Sequence, residues 1–237
     1  MSKLDTSYLF ALFLIAFSFS VKGQMHNNFW TRGIVGVEIA KNLKLDNEFQ
    51  HRRQNGFENN NPFDKNLMFT YRTWLHYQKS SRLKFSLSPF SYYANYNIIL
   101  DEQGLRQSRN EFRFAGAIEM NQPITQKLKV FQRVAAEYHL GLNHSQNRMR
   151  VRTRLGLSYD ATHALLVLLY DELLVNTFGI TPDHIFDHNR IGLSLAYKVM
   201  PSLTIETGYL FINRLLLLKP TMVYENNMFV NINYTIF

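Results

Sequence analysis

The chain has 237 residues, a formal net charge of +8 at pH 7, 14% aromatic residues, 6 prolines and no cysteine. Its length holds one large β domain or two ordinary ones, and its composition excludes the disordered, collagenous and low-complexity classes. Without cysteine there is no disulfide framework, thiolate metal site, cysteine nucleophile or lipid anchor on an N-terminal Cys; the positive balance admits nucleic acid, an anionic membrane or an anionic ligand as partner.

The first element is a targeting segment. Lys3 precedes the apolar run 8–19 (YLFALFLIAFSF), and Val21 and Gly23 supply small residues ahead of a cleavage point. This order predicts a secretory signal peptide over residues 1–23, leaving 24–237 as the mature domain. The run falls short of the ~20 apolar residues that a helix needs to cross a bilayer.

From Gln24 onward the apolar residues recur mostly at period two, the signature of strands. Segments near 29–39 and 42–53 lead into 66–77, where Leu67, Phe69, Tyr71, Thr73, Leu75 and Tyr77 alternate with Met68, Thr70, Arg72, Trp74 and His76. Segment 82–96 contains Pro89, which marks a split or a bulge because proline cannot donate to a ladder. In 109–120, Phe112, Phe114, Gly116, Ile118 and Met120 alternate with Arg109, Glu111, Arg113 and Glu119. In 128–140, Leu128, Val130, Val134 and Tyr138 alternate with Arg133, Glu137 and His139. The clearest case is 148–159, with Arg148, Arg150, Arg152 and Arg154 on one face and Met149, Val151, Leu155, Leu157 and Tyr159 on the other. A helix would scatter those arginines around its whole surface. The continuous apolar run in 163–178 suits a buried helix nearly as well as a strand, and segments near 186–198, 202–214 and 226–236 complete the set. Eleven segments are recognisable, but single-chain bacterial barrels have even strand numbers, so ten or twelve strands are expected.

Connections alternate between short ones and longer polar ones, the pattern of periplasmic turns and outer loops. One face of each strand is apolar and the other charged, whereas a soluble barrel fills its interior with apolar side chains. Tyr77, Tyr159 and Tyr197 each end an apolar face just before a short turn, where aromatics gird a barrel at the lipid interface. The expected fold is therefore all-β: a single antiparallel up-and-down transmembrane barrel of ten to twelve strands, in the outer membrane of a Gram-negative bacterium.

The order of several short motifs resembles the domain-of-unknown-function family numbered 2490. They are Phe29-Trp30, EFQHRR at 48–53, Glu111-Phe112-Arg113, the run 148–155, Glu172 within YDELLVN, FDHNRIGLSLAY at 186–197 and ETGY at 206–209. The resemblance covers about the whole mature chain. It implies an outer-membrane-type barrel with no established activity.

Charge cannot face lipid cheaply: Arg at the bilayer midplane costs roughly 2–4 kcal/mol. The polar faces are therefore expected to line the interior, with Arg32, Arg52, Arg72, Arg113, Arg133, Arg150, Arg152, Arg154 and Arg190 set against Glu48, Glu111, Glu137, Glu172 and Glu206. Such a set fills a lumen as a salt-bridged lattice, or its excess arginine makes a narrow path for small anions. Expected partners are outer-membrane lipids, the barrel assembly machinery and a small anionic solute. No basic, aromatic-interleaved surface stripe suggests nucleic acid. Two other readings stand beside the pore: an outer-membrane lipid-modifying enzyme using His144-Ser145, and a soluble periplasmic barrel that binds a ligand. Adjacent residues in an extended chain point apart, which places that His/Ser pair poorly for catalysis. His184, Asp187 and His188 read as a solvated loop cluster rather than a metal site, and no phosphate loop or cofactor motif is present.

Overall fold

The structure, a computed structural model, describes residues 25–57, 59–99, 108–142, 146–216 and 221–237. The expected signal peptide lies outside them, as do His144 and Ser145. The strands are β1 (Met25–Ala40), β2 (Leu43–Gln54), β3 (Lys65–Ser80), β4 (Leu83–Ser88), β5 (Ser91–Tyr96) and β6 (Ser108–Pro123). They continue with β7 (Leu128–Gly141), β8 (Arg148–Asp160), β9 (Leu165–Phe178), β10 (Phe186–Met200), β11 (Leu203–Leu215) and β12 (Met222–Ile236). The segment 163–178 is thus a strand from Leu165 onward and not a helix.

β4 and β5 lie end to end between β3 and β6, interrupted at Pro89. They form one stave, so the described residues make a closed barrel of eleven staves. Neighbours in sequence pair antiparallel, and β1 closes the barrel by pairing in parallel with β12 from Met25↔Tyr224 to Val37↔Ile236. This corrects the expectation of an even, wholly antiparallel barrel. In an alternating sequence of odd number the first and last strands run the same way, and parallel pairing is the closure available to them. The eleven segments of the sequence were the staves themselves; the parity rule displaced the count.

The connections fall into two rims. Short ones at 41–42, 81–82, 124–127, 161–164 and 201–202 gather at one end, and the longer ones at the other. Three of the two-residue turns carry the same register shift on the strand entering them, at Glu38/Ala40, Gln78/Ser80 and Lys198/Met200, a bulge that tightens the hairpin twist. Leu215 ends β11, and part of the leucine run that follows lies outside the described residues.

Burial is inverted relative to a water-soluble protein. Leu155, Ile191 and Met228 point outward at 57%, 50% and 64% exposure, while Glu137, Glu172, Asp187, His188 and Glu225 are buried. Tyr77, Tyr159 and Tyr197 stand exposed on the outer face at the short-turn ends of β3, β8 and β10. Leu67 departs from its expected outward position: a shift between Arg52 and Arg53 turns it into the wall, where it is 9% exposed.

The seam is testable because the chain has no native cysteine. Thr31 and Val230 are partners across it, and paired Cα atoms at sheet spacing, about 4.8 Å, suit a disulfide. Oxidation of the T31C/V230C variant is expected to give an intramolecular crosslink seen as a gel-mobility shift, while T31C/Y234C stays open. Absence of the first crosslink rules out this closure.

Candidate functional site: an arginine-lined lumen

The inward positions follow from strand period and register. Arg148, Arg150, Arg152 and Arg154 stand in a column on β8, and the register sets Arg150 opposite Glu137 on β7 and Arg154 opposite Glu172 on β9. Glu137 receives Arg150 at 2.6 Å and Arg152 at 2.7 Å. Glu172 is shared by three guanidinium groups: Arg152 at 2.8 Å, Arg154 at 3.0 Å and Arg190 of β10 at 3.0 Å. Arg150 also reaches Asp187 at 2.6 Å. A continuous chain of charge-assisted bonds thus runs Asp187–Arg150–Glu137–Arg152–Glu172–Arg190, and such bonds are the stronger class of hydrogen bond.

The remaining wall is built the same way. Glu111 holds Arg113, takes His139 Nδ1 at 3.2 Å and lies 3.7 Å from Arg148. Glu48 binds Arg72 at 2.6 Å and meets Arg32 at 3.8 Å. Glu206 meets Arg32 at 3.9 Å and accepts from Ser194 and Asn231 at 2.7 and 2.8 Å. Arg133 pairs with Glu119 at 3.4 Å. Arg52 differs from the rest: among the described residues it has no carboxylate within 4.0 Å, donates to Gln50 at 3.0 Å and lies 3.6 Å over the Trp30 ring.

Aromatic faces carry several of these cations. Arg113 stacks on Tyr93 at 3.5 Å and Arg154 on Tyr170 at 4.4 Å. Arg190 lies 5.6 Å from Trp30, which it reaches across the β10–β1 side of the lumen, and Arg133 lies 5.2 Å from Trp74. Stacking of this kind adds about 0.5–2 kcal/mol depending on desolvation. Ala115, Ala117 and Ala135 occupy inward positions, buried beneath the long side chains that extend over them. A cavity of about 1670 Å³ results, lined at one rim by Ser81, Arg82 and Pro123 and at the other by Ile180 and Leu216, with the arginines between. Among the described residues its lining spans from one rim to the other.

Of the fourteen charged residues singled out in the sequence, eleven line the cavity, and Glu48, Glu137 and Glu172 are buried behind them as their ion-pair partners; Arg52 alone of these arginines stands outside the pairs. Asp187, His188, Arg214 and Glu225 are among the wall residues that escaped sequence reasoning. A register shift between Phe186 and His188 turns Asp187 and His188 inward to 5% and 1% exposure, so they belong to the wall and not to a solvated loop. Arg214 bonds Glu225, which also takes Asn28 at 2.7 Å; the signal was a cation and a carboxylate on the inward register of consecutive strands. Among the described residues no group of three or more His, Asp or Glu has a metal-holding arrangement.

Because Glu172 is 1% exposed and neutralises three guanidinium groups, its loss strands paired charge. The Glu172→Gln variant is expected to lower folding stability by about 3–5 kcal/mol, read as the shift in urea-unfolding midpoint of the refolded barrel. A shift under about 1 kcal/mol would show that lumen water screens the three cations instead.

Comparison with known proteins places the fold. No curated protein matches the chain. The NanC porin, solved in a rhombohedral crystal form, superposes with a TM-score of 0.55 at 9% identity, over 89% of this chain and 98% of the porin. The outer membrane channel DcaP of Acinetobacter baumannii gives a TM-score of 0.35 at 8% identity, over 81% of this chain and 80% of that one. At these identities the likeness to the porin is one of fold: an all-β closed barrel. Residues 27–214 match the family described as Protein of unknown function (DUF2490), and the chain belongs to that family.

Proposed function

We propose that this protein is an outer-membrane barrel through which small anions diffuse. The observation that carries the reading is the rim-to-rim cavity of about 1670 Å³ in which arginines outnumber their carboxylate partners. A guanidinium-lined, water-filled bore lowers the energy of an anion and raises that of a cation. Arg52, with its aromatic rather than carboxylate partner, and the three arginines sharing Glu172 supply the positive excess.

The membrane setting is supported by the outward leucines, isoleucines and valines and by the exposed Tyr77, Tyr159 and Tyr197 at one end of that band. Exposed apolar surface of this extent in water would drive association, which disfavours a soluble periplasmic barrel. The signal-peptide reading of residues 1–23 fits export. The ion pairs serve the wall as well as the path: they hold the long side chains against the strands, so the lattice and the bore coexist. The enzyme reading rests on His144 and Ser145, outside the described residues, and nothing else favours it.

Two measurements test the proposal. The protein is expected to need detergent for extraction and to migrate differently on gels before and after heating; a chain soluble without detergent ends the membrane reading. In planar bilayers under a KCl gradient, the reversal potential is expected to have the sign of chloride preference, and a cation-selective or non-conducting barrel rejects the anion path. Arg52→Ala removes one unpaired charge from the bore. At about 4 Å in water a unit charge is worth ~1 kcal/mol to each ion with opposite sign, so the chloride-to-potassium permeability ratio is expected to fall by up to about thirtyfold.

A further inference from the structure

The half of the lumen nearest the short turns is not uniformly polar. On β7 and β8 Arg133 stands directly opposite Arg154, a cross-strand placement of like charges that is unfavourable by itself. The two side chains diverge. Arg133 reaches toward Glu119 and the Trp74 ring, and Arg154 toward Glu172 and the Tyr170 ring. Glu172 takes Nε and Nη2 of Arg154, at 3.1 and 3.0 Å, which leaves Nη1 for another acceptor. Glu119 takes only Nη1 of Arg133. Both arginines line the cavity, with side chains 23% and 29% exposed to it.

One inward step closer to the short turns, the row across β7, β8 and β9 carries no charge, and charge returns beyond it with the Lys129–Asp160 pair. Phe131 on β7, Gly156 on β8 and Tyr170 on β9 are in register. The β8 column that carries four arginines changes here to glycine, and the reason is steric: a Cβ on Gly156 would lie 2.5 Å from the Phe131 ring. Phe131 therefore lies down over the glycine toward Tyr170, whose own ring covers Gly192, where a Cβ would come within 2.4 Å of it. Leu168 follows Tyr170 on the inward face of β9, half-buried and lining the cavity. The result is an apolar patch of Phe131 and Leu168 on the cavity wall, with Tyr170 held between Gly192 and the Arg154 guanidinium, beside two arginines that are not saturated by their carboxylates.

We infer that this patch and the row of Arg133 and Arg154 above it form a binding site for a small planar carboxylate, its carboxylate on one of those guanidinium groups and its apolar body on Phe131 and Leu168. The inference rests on the reading of the lumen as accessible to solutes. A halide or inorganic oxoanion uses the arginines and leaves the patch wet. A polyhydroxylated carboxylate brings hydroxyls to Phe131 and Leu168, which offer no hydrogen-bond partner, so part of its hydration is lost without replacement. A ring with one carboxylate satisfies both halves: the anion takes a guanidinium N–H left over by Glu172 or Glu119, and the Phe131 ring and Leu168 take the planar face.

The chain provides its own reporter, because its two tryptophans, Trp30 and Trp74, are both buried on the lumen side and Trp74 lies against Arg133. Titration of the folded, detergent-solubilised barrel with benzoate at constant ionic strength is expected to shift tryptophan emission saturably. Gluconate, of equal charge, is expected to bind about tenfold more weakly because it covers no apolar area. Leu168→Asn should bring benzoate down toward gluconate. Cyclohexanecarboxylate on the unaltered protein supplies the same comparison without mutation, and should fall between the two. Equal titration by benzoate and gluconate, or saturation by neither, overturns the site. Parallel bilayer recordings separate the two readings. Chloride preference with no benzoate advantage sinks this inference alone; benzoate saturation in a non-conducting barrel sinks the diffusion path and leaves a closed binding chamber.

Discussion

Sharing of carboxylates among guanidinium groups is the constraint on which the rest of the wall depends. Glu172 serves three arginines, and Glu137 and Glu48 serve two each. A buried carboxylate or guanidinium left alone is costly, whereas a bidentate or forked arrangement satisfies several charges at once. This fixes register as firmly as apolar burial does elsewhere. A slip of one residue on β8 would turn the whole arginine column outward and bring Leu155 and Leu157 into the bore. The staves β7 to β10 are therefore locked by a polar network, and the outer apolar face follows from the same alternation.

Much of this was legible in the chain. Period two over 148–159 separated arginine from leucine without ambiguity, and Pro89 marked the interruption of one stave. What was not legible has specific causes. β9 resisted assignment because both of its faces are apolar: Val167, Leu169 and Leu173 point out, while Leu166, Leu168 and Leu174 point in. A strand of that kind has no alternation to read, and its inward leucines are the ones that border the bore. Asp187 was misplaced because a one-residue shift beside it breaks the period locally. Strand parity was missed for a different reason, since no residue announces how a sheet closes; only the pairing of β1 with β12 does.

That closure has its own chemistry. Parallel pairing is slightly weaker per residue than antiparallel, and the seam is reinforced by side-chain amides on both faces. Inside, Asn28 donates to Glu225 at 2.7 Å and to Asn227 at 2.9 Å; outside, Asn226 donates to Asn27 at 3.2 Å. Trp30, Leu210, Ile212 and Phe229 pack into the one fully buried apolar cluster of the described residues, directly beside the same seam. Polar ladder and apolar plug together compensate for the weaker backbone ladder, and they place Trp30 where Arg52 and Arg190 meet it.

The odd number of staves has a consequence for the path of the chain. Met25 stands at the long-loop rim and Ile236 at the short-turn rim, a full stave length apart. In an even barrel the two strand ends lie on one rim, close enough for a few residues to join them. Here a joining segment would have to run the height of the wall, outside against the apolar band or inside through the bore. Circular rearrangement of this fold is thereby blocked by geometry, and the order of its staves is tied to the point at which the sheet closes.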